Sequence, residues 1–359
     1  MKFTQSHISL KPLLSSTALI IVAVILIMTG EMQEPTSFID RQKSAARRMQ
    51  ICHDFLTAVS DSLSLNQAAS LDPNNTQLIG DEYTPITTTL GNLSAKRTAT
   101  NPDFAALLVR WFHELQLKPG NVIAIGCSGS FPALTLATIC AAETMDLTPV
   151  IISAVGASSY GANRPDFVWL DTERLLFRQG LIHHRSSAAS LGGAGDRAFD
   201  LTDEGRELLF EAISRNGIPL IYKENTETNI QTRTKIYEDD GIPKLFINIG
   251  GAQINVGDYR SVKRLKPGIN KLSRQALNPA KSMVGYFSAQ GVPIIHFLNI
   301  EQIALVNDIA IDPVPFPVSG KSRVYYRSSI PGIVWTIALG LVLLSLVILG
   351  FERKKIRTN

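Results

Sequence analysis

The chain has 359 residues, of which 45% are hydrophobic and only 18% are charged, and its net charge is +4. Soluble proteins carry about a quarter charged residues, so this deficit indicates uncharged segments. The small, dispersed net charge argues against a nucleic-acid-binding surface. The three cysteines have no metal-ligand spacing and predict neither a disulfide framework nor a zinc site. We therefore predict no bound metal and no cofactor.

The first uncharged segment has 19 residues and lies between Lys11 and Glu31. A helix of about 20 apolar residues crosses the ~30 Å core of a bilayer. A cleaved signal peptide, with Lys2 and Lys11 as its basic region, is the alternative. The apolar run is long for a signal peptide and ends without a small-x-small cleavage pattern. We predict an uncleaved membrane anchor at residues 1–30.

The second uncharged segment has 24 residues and lies between Arg327 and Glu352. It predicts a transmembrane helix at 329–351, followed by a basic tail at 352–359. Two tyrosines before the helix and the lysines and arginines after it are typical of membrane interfaces. The basic residues nearest each helix favour cytoplasmic termini. The central part of the chain would then lie outside the cytoplasm, on the inner (cell) membrane.

The central part alternates between predicted helices and short buried strands. We predict a helical lead-in and polar loop at 31–101, and an α/β domain at 102–328. Strands are predicted at 121–126, 149–155, 219–222, 244–249 and 293–297. Helices are predicted at 102–117, 132–143, 166–179, 202–216, 228–237, 279–290 and 300–306. Strands that are apolar on both faces and alternate with helices predict an α/β fold with a doubly wound, mainly parallel sheet, flanked by one transmembrane helix at each end.

The loop after the first strand carries the clearest functional signal, with the sequence IGCSGSFPA at 125–133. Ligands of such sheets bind outside the carboxyl ends of the strands, and a small-residue turn before a helix gathers backbone N–H groups. We predict that Gly126, Ser128, Gly129 and Ser130 contact an anionic ligand. Two alternatives stay open: Ser128 is a nucleophile, although its G-x-S-x-G motif ends in serine, or Ser130 only caps the helix.

Two further loops follow predicted strands and are rich in small residues. After the second strand, Ser158 and Asn163 are candidates to bind an amide or a carboxylate, although an ordinary polar loop has the same composition. After the fourth strand, Gly250 and Gly251 would complete a site with the first loop if the two strands are neighbours.

Several charged or titratable side chains are candidates for the same site. Lys96 and Arg97 lie in a threonine-rich loop, where they would neutralise an anion or form a solvated surface pair. If Ser128 is a nucleophile, His183 or His184 would be its base. Paired histidines in a loop are, however, more often exposed to solvent.

Three segments resemble the bacterial poly-gamma-glutamate system protein family. They are TPITTTLGNLSAKRTATNPDFAA at 84–106, GCSGSFPAL at 126–134 and VIISAVGAS at 150–158. The two terminal hydrophobic helices fit the same family, so the resemblance covers nearly the whole chain. It implies a membrane component that accompanies the enzymes making or exporting poly-γ-glutamate, and it supplies no catalytic residues.

Two functions therefore remain open, and a third, an ATP-using ligase, is the least favoured because no phosphate-binding lysine follows the glycines. The first is an accessory component, anchored in the lipid bilayer beside other membrane components of such a system, that binds the anionic polymer or its precursor. Helix N-termini, backbone amides and basic side chains all bind carboxylates. The alternative is a serine-dependent hydrolase or glutamyl/acyl transferase with Ser128 as its nucleophile. Neither function involves nucleic acid.

Overall fold

The computed structural model describes residues 10–63 and 70–358. These residues divide into two compact units, which we call the anchor unit and the sheet unit. The anchor unit comprises the described residues up to Ser37 and from Tyr326 onward, and the sheet unit is Phe38–Tyr325.

The helices are α1 (Leu10–Thr29), α2 (Ile39–Val59), α3 (Leu93–Ala99), α4 (Asp103–Glu114), α5 (Pro132–Thr144), α6 (Trp169–Arg178), α7 (Asp203–Asn216), α8 (Thr226–Tyr237), α9 (Gln253–Val256), α10 (Tyr259–Val262), α11 (Met283–Ala289), α12 (Ile300–Val306) and α13 (Gly332–Thr358). The strands are β1 (Met32–Pro35), β2 (Thr87–Thr89), β3 (Val122–Ser128), β4 (Thr148–Ala154), β5 (Ala157–Ser158), β6 (Asn163–Arg164), β7 (Phe167–Val168), β8 (Ser186–Ser190), β9 (Leu245–Ile249), β10 (Gly268–Asn270), β11 (Ile294–Phe297) and β12 (Tyr326–Ser329).

The anchor unit contains two helices that are long and apolar enough to cross a membrane, Leu10–Thr29 and Gly332–Phe351. This confirms the two apolar terminal helices predicted from the sequence. Strands β1 and β12 pair antiparallel, with Met32 opposite Ser329. The pairing holds the end of α1 and the start of α13 on the same side of the unit.

Small residues form the contact between α1 and α13. Ala23 and Ala338 are buried there, and Ser16 Oγ donates a hydrogen bond to Ser345 O at 3.0 Å. Small side chains let two helices approach closely, which is the usual source of helix association in lipid.

We expect a Ser16→Cys/Ser345→Cys double variant to form a disulfide in membranes under mild oxidation, because both residues are buried and the Ser16 side chain contacts the Ser345 backbone. The measurement is the mobility shift of the full chain on a non-reducing gel after cleavage between the helices. A Val22→Cys/Ser345→Cys pair is the matched control, since Val22 is exposed on α1. Equal cross-linking of both pairs would contradict this helix contact.

The sheet unit is built on one six-stranded sheet in the order β10-β11-β9-β3-β4-β8. All neighbours are parallel except β10, which runs antiparallel to β11. This confirms a mixed α/β fold with a mostly parallel sheet. From β3 the chain moves outward through β4 to β8, and it then returns to β9 on the other side of β3. The loops after β3 and β9 are therefore neighbours at the point where the strand order reverses.

Apolar strands and aromatic helix residues hold the sheet in place. All five residues of β9 are buried, and the rings of Phe246 and Phe287 stack with centroids 4.9 Å apart. Trp111 of α4 packs on Phe297 of β11 at 5.5 Å. Each such buried side chain contributes roughly 1.5–3 kcal/mol to folding.

Two strands of this sheet were not predicted, and one predicted strand is absent from it. The residues of β8 are Ser-Ser-Ala-Ala-Ser, without an apolar run, and Ser186 Oγ bonds instead to the buried Glu173 carboxylate at 2.9 Å. β10 is short and lies at the sheet edge. The predicted strand at 219–222 is wrong: it makes only a single bridge, from Leu220 to Ala189, and Leu220 is 43% exposed.

Candidate functional site

A cavity of about 600 Å³ opens at the carboxyl ends of the parallel strands. It lies where the strand order reverses, which is the usual position for a ligand in an open α/β sheet. Each parallel strand contributes a residue at or just after its end: Ser128, Ala154, Gly192, Gly251 and Leu298. Helices α3 and α12 supply Lys96 and Glu301 to its wall.

Lys96 is the most unusual residue of this cavity. Helix α3 presents it, and the Asn92 side chain caps that helix by accepting a hydrogen bond from the Ala95 amide at 3.1 Å. Lys96 is only 3% exposed. Its Nζ donates to Ser158 Oγ at 2.7 Å and to the carbonyl oxygen of Ser130, and it lies 3.9 Å from the centre of the Phe131 ring.

The Lys96 ammonium has only neutral partners. Within the parts of the chain that the structure describes, no carboxylate lies at ion-pair distance from its Nζ. Burial lowers the pKa of Lys96 to about 7, because desolvation penalises the charged form. Two acidic residues line the same cavity and are bonded elsewhere: Glu301 accepts from Ser94 Oγ at 2.7 Å, and Asp200 accepts from the Ala194 amide at 2.7 Å.

Ser130, Ser158 and Lys96 form what we call the serine–lysine cluster. The Ser158 amide donates to Ser130 Oγ at 3.0 Å, so the two serines contact each other as well as the lysine. Ser128 stands apart from this cluster. Its Oγ makes one long hydrogen bond of 3.4 Å, to the carbonyl oxygen of Ile249.

Two glycines let the loops around the cavity approach closely. Gly250 has a φ of +89°, and a Cβ there would lie 2.4 Å from Ser128 Oγ. A Cβ at Gly129 would lie 2.5 Å from the carbonyl oxygen of Val155. The loops after β3 and β9 are thus in direct contact, which the sequence left undecided.

The amides of the first loop are mostly used inside the fold. Gly126 lies within β3, between β4 and β9, and the Gly129 amide donates to the carbonyl oxygen of Ala154 at 2.8 Å. These bonds correct the expectation that the amides of residues 126–129 gather around an anion. Lys96 and the serine hydroxyls are the donors that face the cavity.

The structure brings half of the predicted ligand-binding residues to the cavity. Those that line it are Lys96, Ser128, Ser130, Ser158 and Gly251. Those outside its lining are Gly126, Gly129, Arg97, Asn163 and Gly250.

Arg97 and Asn163 have structural partners instead. The Arg97 guanidinium bonds to the Asp312 carboxylate at 3.2 Å and to two backbone carbonyls of the 70–71 segment. The Asn163 side chain bonds to both backbone groups of Asp81, at 2.9 and 2.8 Å. Arg97 therefore stabilises the 70–71 segment, and Asn163 stabilises the loop that contains Asp81.

His183 and His184 lie just before β8, at its amino end. Both rings contact the Glu143 carboxylate, at 3.2 and 3.0 Å. Although burial opposes it, hydrogen bonds from His184 and His183 and the charge of Arg48 lower the pKa of Glu143 to about 2. These contacts leave neither imidazole beside Ser128, so the described contacts give no support to the predicted pairing.

The sequence did not point to Glu301 and Asp200. Glu301 lies in the first turn of α12, four residues after the end of β11, so the strand-end rule applied to the fifth predicted strand would have indicated this region. Asp200 follows β8, a strand without an apolar run, and therefore carried no signal.

The sequence matches no protein-family model, no curated protein and no solved structure. Among residues 10–63 and 70–358, no group of three or more His, Cys, Asp or Glu side chains is arranged to hold a metal ion. The cavity and its side chains therefore carry the functional argument.

Proposed function

We propose that the sheet unit binds one end of a carboxylate-bearing chain in this cavity, and that the protein is a membrane-anchored accessory component of a poly-γ-glutamate synthesis or export system. The observation that carries the proposal is the buried Lys96 ammonium without a counter-charge. The resemblance of segments 84–106, 126–134 and 150–158 to the poly-gamma-glutamate system family supports the choice of polymer.

A ligand carboxylate is the natural partner of such a lysine. A buried charge is costly unless it is paired, so an anion that enters the cavity stabilises the charged form of Lys96. The serine hydroxyls beside it supply further donors to a carboxylate.

Glu301 and Asp200 restrict which part of a polymer fits. Two acids and one lysine in one cavity repel a stretch of repeated carboxylates, but they accommodate a group carrying one ammonium and one carboxylate. The amino-terminal unit of a γ-linked glutamate chain carries both. We therefore propose that the cavity takes a chain end rather than the middle of the polymer.

We propose that the anchor unit tethers the sheet unit to a bilayer. We propose that α1 and α13 both span the cell membrane, with the two termini in the cytoplasm and the sheet unit outside it, beside other membrane components of the system. Because β1 pairs with β12, the end of α1 and the start of α13 lie on the same side of the anchor unit. This supports the proposal that both termini lie on one side of the membrane. A doubly wound arrangement of the helices about the sheet remains a prediction. Protection of the 352–359 tail from protease added to intact spheroplasts tests the orientation, and its digestion would contradict it.

The binding proposal predicts that Lys96→Met weakens the affinity for a γ-linked glutamate tetramer by about tenfold or more, because a charge pair is lost. The measurement is calorimetry on the purified full chain in detergent. Affinity should also fall as the pH rises through about 7, where Lys96 loses its proton. Lys118→Met is the matched control, because Lys118 is exposed at the amino edge of the sheet.

Two results would decide against this function. An unchanged affinity of Lys96→Met for the tetramer would show that Lys96 does not contribute to binding. Acetylation deletes the ammonium that Glu301 and Asp200 accommodate. Equal affinity for the tetramer and its N-acetylated form would therefore contradict the proposal that the cavity binds a chain end.

A serine-dependent hydrolase or transferase is the second candidate. For Ser128 the only described side-chain contact is the long bond to Ile249 O, and no base touches it. The contact between Lys96 and Ser158 favours a different serine.

A further inference from the structure

Ser158 and Lys96 have the geometry of a nucleophile and its base. Ser158 Oγ and Lys96 Nζ are 2.7 Å apart, within the distance at which a base takes a proton directly. Both residues line the cavity although they are only 8% and 3% exposed. A hydroxyl at the cavity wall with an amine behind it is what nucleophilic catalysis by serine requires.

The surroundings of Lys96 favour the neutral amine that a base needs. Desolvation lowers the pKa of Lys96 to about 7, so a large fraction is unprotonated near neutral pH. Glu301 and Asp200 line the cavity but are bonded to Ser94 and Ala194. Arg97, the neighbour of Lys96 on α3, forms an ion pair with Asp312. Glu143 of α5 forms an ion pair with Arg48.

We propose that Ser158 is the nucleophile, and Lys96 its general base, in the hydrolysis of an amide bond of the chain that the cavity binds. Ser158 was expected only to contact ligand, and Ser128 was the serine considered for catalysis. The inference rests on the same cavity as the proposed function and adds a reaction to it.

The reaction has two balanced stages. In the first, Ser158 Oγ gives its proton to Lys96 Nζ and forms a bond to the acyl carbon, whose C–N bond then breaks as the leaving nitrogen takes the proton from Lys96. In the second, water attacks the acyl–Ser158 ester and gives a proton to Lys96, and the C–Oγ bond breaks with return of that proton to Ser158. One amide and one water become a carboxylic acid and an amine.

Ser130 positions the nucleophile. Its Oγ accepts the Ser158 amide hydrogen at 3.0 Å, which fixes the backbone of Ser158 relative to Lys96. Its carbonyl oxygen accepts a hydrogen bond from Lys96 Nζ, which directs the amine toward Ser158. Ser130 also lines the cavity, so its hydroxyl hydrogen is available to the carbonyl oxygen of a bound amide.

The two protonation states of Lys96 serve the two proposals differently. The ammonium form pairs with a carboxylate, which is also the product of amide hydrolysis. The neutral form takes the proton of Ser158. Ligand affinity and nucleophile reactivity should therefore change in opposite directions with pH.

The test is covalent labelling of the purified full chain in detergent by an alkyl fluorophosphonate probe, with the adduct located by peptide mass spectrometry. We expect the adduct on Ser158 and a labelling rate that rises with pH through about 7. Lys96→Met should slow labelling by about 100-fold or more, the usual contribution of a general base. Ser214→Ala, at an exposed position of α7 outside the cavity, is the matched control and should label like the parent protein.

An adduct on Ser128 or another residue would overturn the inference, as would absence of any adduct on protein that unfolds cooperatively on heating. The site of the adduct in the parent protein decides this even if Ser158→Ala fails to fold, and Ser158→Cys offers a second variant with a reactive side chain. Labelling of Ser158 without tetramer binding would contradict the proposed function alone. Tetramer binding without labelling would contradict this reaction alone.

Discussion

Replacing Lys96 with methionine is expected to raise the free energy of unfolding of the sheet unit at neutral pH, although it should weaken ligand binding. Burial lowers the pKa of this lysine from 10.5 to about 7. This difference in pKa lowers the free energy of unfolding by about 5 kcal/mol at pH values where the lysine is charged in both the folded and the unfolded chain. The variant loses two hydrogen bonds, which cost about 1–3 kcal/mol. The net gain should be about 2 kcal/mol or more.

The pH dependence gives this expectation a defined sign. Between about pH 7 and 10.5 the folded protein binds fewer protons at Lys96 than the unfolded chain does, so its stability rises with pH. Below about 7 the full penalty is present, and above 10.5 it is absent. The stability advantage of Lys96→Met should therefore shrink steadily as the pH rises across this window.

Denaturant unfolding of the full chain in detergent at several pH values measures this advantage. Lys118→Met serves as the control and should leave stability unchanged, because Lys118 is exposed. A destabilised Lys96→Met protein would show that the lysine holds the loops of residues 130 and 158 together for structural reasons only. A residue that lowers stability yet lines a cavity is typical of a functional site.

Asp196→Ala is expected to lower the free energy of unfolding by about 3–5 kcal/mol, because it leaves a buried guanidinium without its counter-charge. Arg233 of α8 bonds to the Asp196 carboxylate at 2.6 Å, and these side chains are 1% and 3% exposed. Ser190 at the end of β8 donates to Asp196 at 2.7 Å, and Asn229 donates at 2.9 Å. This network ties α8 to the turn that follows β8.

The same change should also disturb the cavity. Gly192, Gly193 and Ala194 line its wall and lie two to four residues before Asp196. We expect weaker tetramer binding together with the lower stability, both measured on one preparation. Asp203→Ala is the matched control, because the Arg206–Asp203 pair lies on the surface with Asp203 95% exposed. Surface pairs contribute little, so equal destabilisation by the two variants would contradict the role of the Asp196 network.

The apolar strands explain how much of the fold was predictable. β3, β4, β9 and β11 are short hydrophobic runs between helices, and each was predicted near its observed position. β8 was missed because its two buried serines, Ser186 and Ser190, are held by side-chain hydrogen bonds rather than by apolar contact. The segment at 219–222 has the composition of a strand and lies at the outer edge of β8, but only Leu220 and Ala189 form a bridge there.

The site was predictable where it depends on chain position and not where it depends on three-dimensional contact. Ser128, Ser158 and Gly251 line the cavity because they follow or end strands, which a sequence reveals. The contact of Lys96 with Ser158 joins residues 62 positions apart in the chain. Only the packing of α3 against the loops after β3 and β4 creates that contact.

The control of this cavity by one lysine, buried without a counter-charge, underlies both proposals. Its most direct test compares two curves on the same purified protein from about pH 6 to about pH 9: the affinity for the glutamate tetramer and the rate of fluorophosphonate labelling. We predict that affinity falls and labelling rises with a shared midpoint near pH 7, the pKa to which burial lowers Lys96, and that both dependences vanish in Lys96→Met. Two curves that are flat, or that change in the same direction, would contradict the claim.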